Sequence, residues 1–266
     1  MISFSNMGRF GRLGNQMFQY ACTFAIANKH QTKIGINTHD AYNNKQLNQL
    51  VETFELRSAT LDKIEEYKFI FNEKDFEYDP MIECVTDGTD LRGYFQSEKY
   101  FKHVRNELLR NEFVFKTKVL KQGENFWSSH SIEGPVCSVH VRMGDYKILS
   151  DTHYNLNNNY YETALLKLPP CSRYIVFSDD LIEARNLLNP IAESFSRNFV
   201  YADLDYDVSM LLMSWCDHHI IANSSFSWWG AWLSENNGSV VSPKNWFSKK
   251  GPRSWKDIYC DKWIIV

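Results

Sequence analysis

The sequence has no CxxC pair. Its 6 cysteines (Cys22, Cys84, Cys137, Cys171, Cys216, Cys260) stand singly, several of them inside apolar runs. That spacing is not that of a zinc finger, and it suits reduced core thiols in a cytosol better than a disulfide frame. No apolar run is long enough to span a bilayer and no signal peptide is recognisable, so the expectation is a cytoplasmic protein, attached at most peripherally to the inner face of a membrane. A basic excess is missing as well: the net charge of -3 argues against nucleic acid as a partner. The sequence lacks GxGxxG, GxxxxGK, HExxH and GxSxG, and so the usual marks of dinucleotide, P-loop, zinc-protease and serine-hydrolase chemistry. A Rossmann oxidoreductase is further disfavoured because no glycine fingerprint with an acidic residue about 20 positions on follows the first strand. There is no internal repeat and no low-complexity tract. Asn223-Ser224-Ser225 and Asn237-Gly238-Ser239 read formally as glycosylation acceptors. The first lies in a loop that reads as ligand-binding, a conflict that a non-secretory compartment removes.

What is present is a chain of 266 residues, enough for one large domain or two modest ones with ample core. Aromatics make up 15%, with 8 Trp, and flat rings lean towards a carbohydrate or nucleotide ligand. One stretch organises the rest. Val136 to Val141 has the apolar residues of a buried strand, and His140, Arg142, Gly144 and Asp145 then follow within a few positions. Parallel sheets open into crevices at the carboxyl ends of their strands, and an Arg fixed there can grip a phosphate by two hydrogen bonds. A surface salt bridge between Arg142 and Asp145 is the plainer use of the same residues.

Towards the amino end, Gly8 to Gln16 forms a glycine-rich loop opening a helix whose inner stripe is Met17, Ala21, Phe24 and Ala25. Such a loop serves equally as a tight turn or as a set of N–H donors for an anion. Ile34 to Ile36 reads as a strand, Asn43, Asn44, Gln46, Asn48 and Gln49 as a polar loop, Leu61 to Tyr67 as a helix, and Phe69 to Phe71 as a strand. Leu91 to Glu98 runs from a strand into a helix with Phe101, Val104 and Leu108 inside, and Glu98 in its first turn. Glu133-Gly134-Pro135 marks a boundary, dividing the chain into 1–132 and 133–266 with the last helix packing back on the first domain. Beyond it strands and helices alternate in the βαβ manner.

In this second half three strands each pass at once into polar residues, at His140 to Asp145, Ser178 to Asp180 and Asn223 to Phe226. In a parallel sheet those ends share one rim. Asp179, Ser224 and Ser225 can also be mere helix caps, although capping needs only one of the two hydroxyls. Asp203-Leu204-Asp205 resembles a metal-holding DxD pair, but with Asp207 following, helix capping is its better use. His218 and His219 would point to opposite faces of a strand, against joint metal ligation.

Five segments in order are similar to those of the α-1,2-fucosyltransferases: Gly11 to Ala21, Gly93 to Glu98, His140 to Tyr146, Phe177 to Asp180 and Ala222 to Gly230. The chain resembles a bacterial or viral member of that family without a membrane anchor. The resemblance implies an α/β fold of GT-B type, two Rossmann-like domains facing each other across a cleft, with the acceptor side in the first and GDP in the second. It implies transfer of L-fucose from GDP-β-L-fucose to a galactose 2-hydroxyl with inversion and without a divalent metal. The partners would be GDP-fucose and a galactose-containing oligosaccharide or glycolipid.

The same resemblance gives Arg142 the diphosphate and the leaving GDP, with His140 in support. Ser224, Ser225 and the N–H of Phe226 would hold the β-phosphate, Asn223 before them would belong to the same donor site, and Asp179 would meet guanine or ribose. Gly14 and Asn15 would face the diphosphate–fucose region from the first half. Many relatives carry a second Arg where this chain has Met143, so a second cationic contact is absent or supplied elsewhere. Asp145 and Glu98 are the carboxylates available as general base, with late proton loss to phosphate or water as the alternative.

Overall fold

The computed structural model describes residues 1–9, 11–37, 49–61, 64 and 66–266. The chain divides into two compact units, Met1–Lys116 with Ser254–Cys260, and Thr117–Arg253 with Asp261–Val266. Each is built on one parallel sheet.

The first unit contains β1 (Ile2–Phe4), α1 (Leu13–Lys29), β2 (Ile34–Ile36), α2 (Gln49–Thr53), β3 (Ala59–Leu61), β4 (Phe69–Asn72), β5 (Thr89–Arg92) and the single turn α3 (Arg105–Glu107). The sheet order is β3-β2-β1-β5-β4. The order therefore reverses between β1 and β5, whose carboxyl ends lead into the glycine loop and into Gly93. Helix α1 buries the expected stripe of Met17, Ala21, Phe24 and Ala25, and also Leu13, Phe18, Tyr20, Cys22 and Ile26. The polar Gln16, Gln19 and Thr23 are buried with them and donate to backbone carbonyls, so the helix is covered all round.

Several local expectations need correction. Asn43, Asn44, Gln46 and Asn48 of the polar loop, with Phe10, lie outside the described residues. So do residues 62, 63 and 65 of the helix expected over 61–67; Leu61 instead closes β3 by pairing with Ile36. After Gly93 there is no single helix but a chain of short turns, although Phe101, Val104 and Leu108 are buried as expected.

The second unit contains α4 (Thr117–Ser129), β6 (Val136–Val141), α5 (Gly144–Ile148), α6 (Asn158–Lys167), β7 (Arg173–Ser178), α7 (Leu181–Ser194), β8 (Phe199–Tyr201), α8 (Tyr206–Trp215), β9 (His218–Ile220), α9 (Ser225–Leu233), β10 (Val240–Ser242) and β11 (Ile264–Ile265). The units change at 116/117 rather than at 132/133, because α4 belongs with α8. Gly123 on α4 lies so close to Leu211 and Trp215 that an added Cβ would meet Leu211 Cδ2 at 2.6 Å, and Trp127 packs edge-on against Trp215. The carboxyl-terminal part of the first unit holds one 3-10 turn, Lys256–Ile258, where a last helix was expected.

The sheet of the second unit runs β11-β10-β9-β6-β7-β8. One face carries Cys137, Val139, Val141, Val176, Ile220 and Val241 against α6 and α7. The tryptophans explain the aromatic excess differently from a ligand platform. Trp228 and Trp229 are fully buried, and Trp228 stacks on Trp232 and touches Trp263. Gly230 lets α9 lie against α8, with Met213 Cβ 2.6 Å from where its own Cβ would be.

Candidate active site

The strand order of the second unit reverses between β6 and β9, and crevices in open α/β sheets form at the carboxyl ends on either side of such a reversal. All three polar strand ends come to this rim. Arg142 leaves β6 with its side chain 14% exposed, and its Nη1 lies 2.8 Å from Asp179 Oδ2, at the end of β7. The other Asp179 oxygen accepts the Met143 N–H at 2.9 Å. Gly144 makes that approach feasible: a Cβ there would stand 2.4 Å from Asp179 Oδ2.

On its other side Arg142 pairs with Asp145 through Nη2, and its guanidinium carbon sits 5.1 Å from the centre of the Tyr146 ring. Tyr146 donates its hydroxyl to the Asn223 carbonyl at 2.9 Å, tying the β6 end to the β9 end. The expected Arg142–Asp145 pair is thus present, but it is one half of a clamp in which two carboxylates fix one guanidinium.

Two helix caps are sorted out by the structure. Asp180, not Asp179, caps α7 by accepting the Glu183 N–H at 3.1 Å, which leaves Asp179 to Arg142. Ser224 caps α9 by accepting the Phe226 N–H at 3.3 Å. Ser225, half-buried in the first turn, takes no part in that cap. Asp207 lies within the first turn of α8 and accepts the N–H of Val208 rather than capping from outside; Asp205 occupies the cap position.

Asn223 differs from expectation. It is buried, and its amide donates to the carbonyls of Tyr154 at 2.9 Å and Trp246 at 2.8 Å. Its N–H donors brace two loops, so they are not available to the donor.

His140 is buried near the end of β6, its ring centre 5.8 Å from that of Phe226, and its Nδ1 has no hydrogen-bond partner. Burial, and secondly the charge of Arg142, lower its pKa from 6.5 to about 3. The ring is therefore neutral, and any help it gives a phosphate is a hydrogen bond and not a charge. His219 is neutral for the same first reason, with Nδ1 2.8 Å from Ser138 Oγ, while His218 accepts the Ser239 N–H instead. Among the described residues no group of three or more His, Cys, Asp or Glu is placed to hold a metal ion.

In the first unit Gly14 is buried in the opening turn of α1, and Asn15 beside it accepts a hydrogen bond from Gln96 Nε2 at 2.9 Å. The helix has no side-chain cap from Arg12. Gln49 Oε1 accepts the Leu13 N–H at 2.8 Å in its place. Gly11, at φ +98, leaves room for Asn15, whose Nδ2 would lie 2.0 Å from a Cβ at that position. Glu98 sits in the 3-10 turn Glu98–Tyr100, half-buried behind the cap Ser97. Sequence reading did not single out Gln96 or Glu73, whose carboxylate accepts the N–H groups of Tyr94 and Phe95. Glu73 stands at a strand end, as the chosen residues do, but on the edge strand β4, where polar residues are unremarkable.

The family model for glycosyl transferase family 11 matches residues 5–266. The chain belongs to that family. It is 29% identical over 291 residues to an alpha-1,2-colitosyltransferase of Escherichia coli, covering 96% of each chain. It is 27% identical over 263 residues to galactoside 2-alpha-L-fucosyltransferase SEC1 of Bos taurus, covering 91% of this chain and 67% of that one. Among solved structures, NodZ alpha-1,6-fucosyltransferase soaked with GDP-fucose matches with a TM-score of 0.55 at 13% identity, over 88% of this chain and 92% of that one. At that identity the likeness is one of fold. The family 11 chain has the GT-B-like α/β fold, with two parallel sheets, that its sequence implies.

Proposed function

We propose that this family 11 glycosyltransferase moves L-fucose from GDP-β-L-fucose to the 2-hydroxyl of a galactosyl acceptor, with inversion at the anomeric carbon. The observation that carries the reading is the clamp on Arg142 at the rim of the second sheet, beside the start of α9. Breaking the sugar–phosphate bond leaves extra negative charge on GDP, and that charge needs oriented donors as it forms. Asp179 holds one side of the guanidinium from behind. Nη2 exchanges Asp145 for the diphosphate, while the first turn of α9, with Ser225, supplies further donors and the positive end of a helix. The chemistry then asks for no divalent ion, since an arginine and N–H groups stand where a metal would stabilise the leaving group.

Asp145, once exchanged, is a carboxylate next to the reacting phosphate and a candidate to take the acceptor's proton; Glu98 in the first unit is the other. Asn15, in the glycine-rich segment that is similar to the family's, is assigned a part in donor binding. The relatives named for galactoside 2-alpha-L-fucosyl transfer support the linkage, and the GDP-fucose-soaked structure of the same fold supports the donor. The colitosyltransferase relative supports a second reading in which colitose replaces fucose.

Incubation with GDP-fucose, the corresponding colitose donor and GDP-mannose, each with a panel of β-galactosyl acceptors, decides between them. The first reading expects an α-1,2-fucosyl product by linkage analysis. Tight GDP binding with no product from any pair would make the chain a binding protein instead.

A further inference from the structure

The loop that carries Gln96 to Asn15 has an unusual construction. Phe95 is not a glycine, yet its backbone is left-handed at φ +53. Holding a side-chain-bearing residue there costs about 1–3 kcal/mol unless the surroundings over-determine it. Two things fix it. The Phe95 ring is fully buried, edge-on to Phe4 at 6.2 Å and to Tyr100 at 5.3 Å. Its N–H, with that of Tyr94, points into the Glu73 carboxylate: Oε2 accepts from Tyr94 at 2.7 Å and from Phe95 at 3.0 Å, and Oε1 lies 3.0 Å from the same Phe95 nitrogen. Gly93 is what lets the carboxylate in, since a Cβ there would meet Glu73 Oε2 at 2.6 Å. The next residue, Gln96, is buried and donates to Asn15 Oδ1 at 2.9 Å, and the Gly93 carbonyl accepts from Gln19 Nε2 on α1 at 3.1 Å.

We infer that Glu73 is a positioning residue for the transfer reaction: its ionised carboxylate holds the left-handed turn at Phe95, the turn holds Gln96, and Gln96 holds the Asn15 amide in its working orientation. The inference rests on the role given to Asn15 above. An ionised carboxylate accepts from both N–H groups, whereas a protonated one offers a competing donor in the same place. Burial raises the Glu73 pKa to about 7, against the lowering effect of the Phe95, Tyr94 and Tyr100 hydrogen bonds and with a smaller raising effect from Asp75. The other titratable groups that interact here are Tyr100, whose hydroxyl is 3.5 Å from Oε1, and Cys22 on α1, with Asp79 acting on Tyr100. Burial raises both Tyr100 and Cys22, so neither titrates in the range where Glu73 does. Release of the turn therefore follows Glu73 as the pH falls through about 7.

The test combines one variant, Glu73→Gln, with two readouts. In kinetics with GDP-fucose, the wild type loses kcat/KM as the pH falls through about 7. The variant is roughly 10- to 100-fold slower at about pH 8 and has lost that limb. In NMR of protein labelled on Asn and Gln side chains, the Asn15 and Gln96 amide signals of the wild type move with a midpoint near 7, and those of the variant do not. A variant with wild-type kcat/KM and an unchanged acid limb overturns the inference. So do Asn15 and Gln96 signals that stay still in the wild type. If the wild type transfers nothing from GDP-fucose, the proposed reaction is what fails, and the NMR signals still decide whether Glu73 positions Asn15.

Discussion

Arg142 and Asp179 meet across the carboxyl ends of adjacent strands, Nη1 to Oδ2 at 2.8 Å, and the same carboxylate fixes the Met143 amide. An arginine held from behind in this way has its orientation set before any ligand arrives. Asp179→Asn removes the charge and keeps the shape, and the expected result is a fall in kcat/KM of about 10- to 100-fold. Gly144→Ala should act through the same pair, because its Cβ would displace the Asp179 carboxylate. Steady-state kinetics of both variants check this, together with their unfolding midpoints, which should move less for Asp179→Asn than for Gly144→Ala.

The two serines at the start of α9 should separate. Ser224 caps the helix, so Ser224→Ala is expected to lower stability by about 1 kcal/mol. Ser225→Ala should leave the unfolding midpoint within error and weaken GDP binding. Denaturant unfolding and GDP titration of the pair distinguish the roles; equal effects of the two variants on both quantities would remove Ser225 from the phosphate site.

His140 and His219 are buried with pKa values lowered from 6.5 to about 3. A base whose folded pKa lies below its unfolded one adds stability that is complete above about pH 6.5 and is lost as the pH falls towards 3. Neither ring signal should titrate between about pH 5 and 8 by NMR, and His219→Gln should flatten the loss of stability on acidification. An inflection at neutral pH in the His140 ring would mean that the site carries a cationic imidazole.

If oriented donors stand in for a metal ion, turnover should survive exhaustive treatment with chelator and show no gain on adding manganese or magnesium. Loss of activity with chelator and its return with manganese would require an ion at the diphosphate.

The strand β6 was legible because an apolar run passing at once into Arg142, Gly144 and Asp145 marks where a buried strand leaves the core, although the same residues also suit a salt bridge. Spacing along the chain could not say which aspartate does what. Asp179 and Asp180 are neighbours of one residue type, and only the geometry of the β7–α7 turn gives the cap to one and the arginine to the other. The bracing role of Asn223 was not legible for a related reason: its amide reaches carbonyls of Tyr154 and Trp246, contacts far along the chain that no local pattern encodes. The first unit was harder to read because its strands are mostly of three residues and its turns after Gly93 are irregular. Glu73 escaped notice altogether, since a charged residue following an edge strand is ordinarily solvated, and here it is turned inwards onto a backbone that itself looks unremarkable in sequence. The domain boundary was placed one helix late because α4 is largely polar, although Gly123 and Trp127 attach it to α8.

The most direct test is turnover of GDP-fucose by Arg142→Ala and Arg142→Lys beside the wild type. A lysine keeps the charge but lacks the planar fork that meets two oxygens in a fixed geometry and is held between two carboxylates. The account predicts a loss of at least roughly 10²- to 10³-fold for the alanine variant, about 2.7–4 kcal/mol, with little recovered by lysine. Near-normal turnover in Arg142→Ala would contradict it.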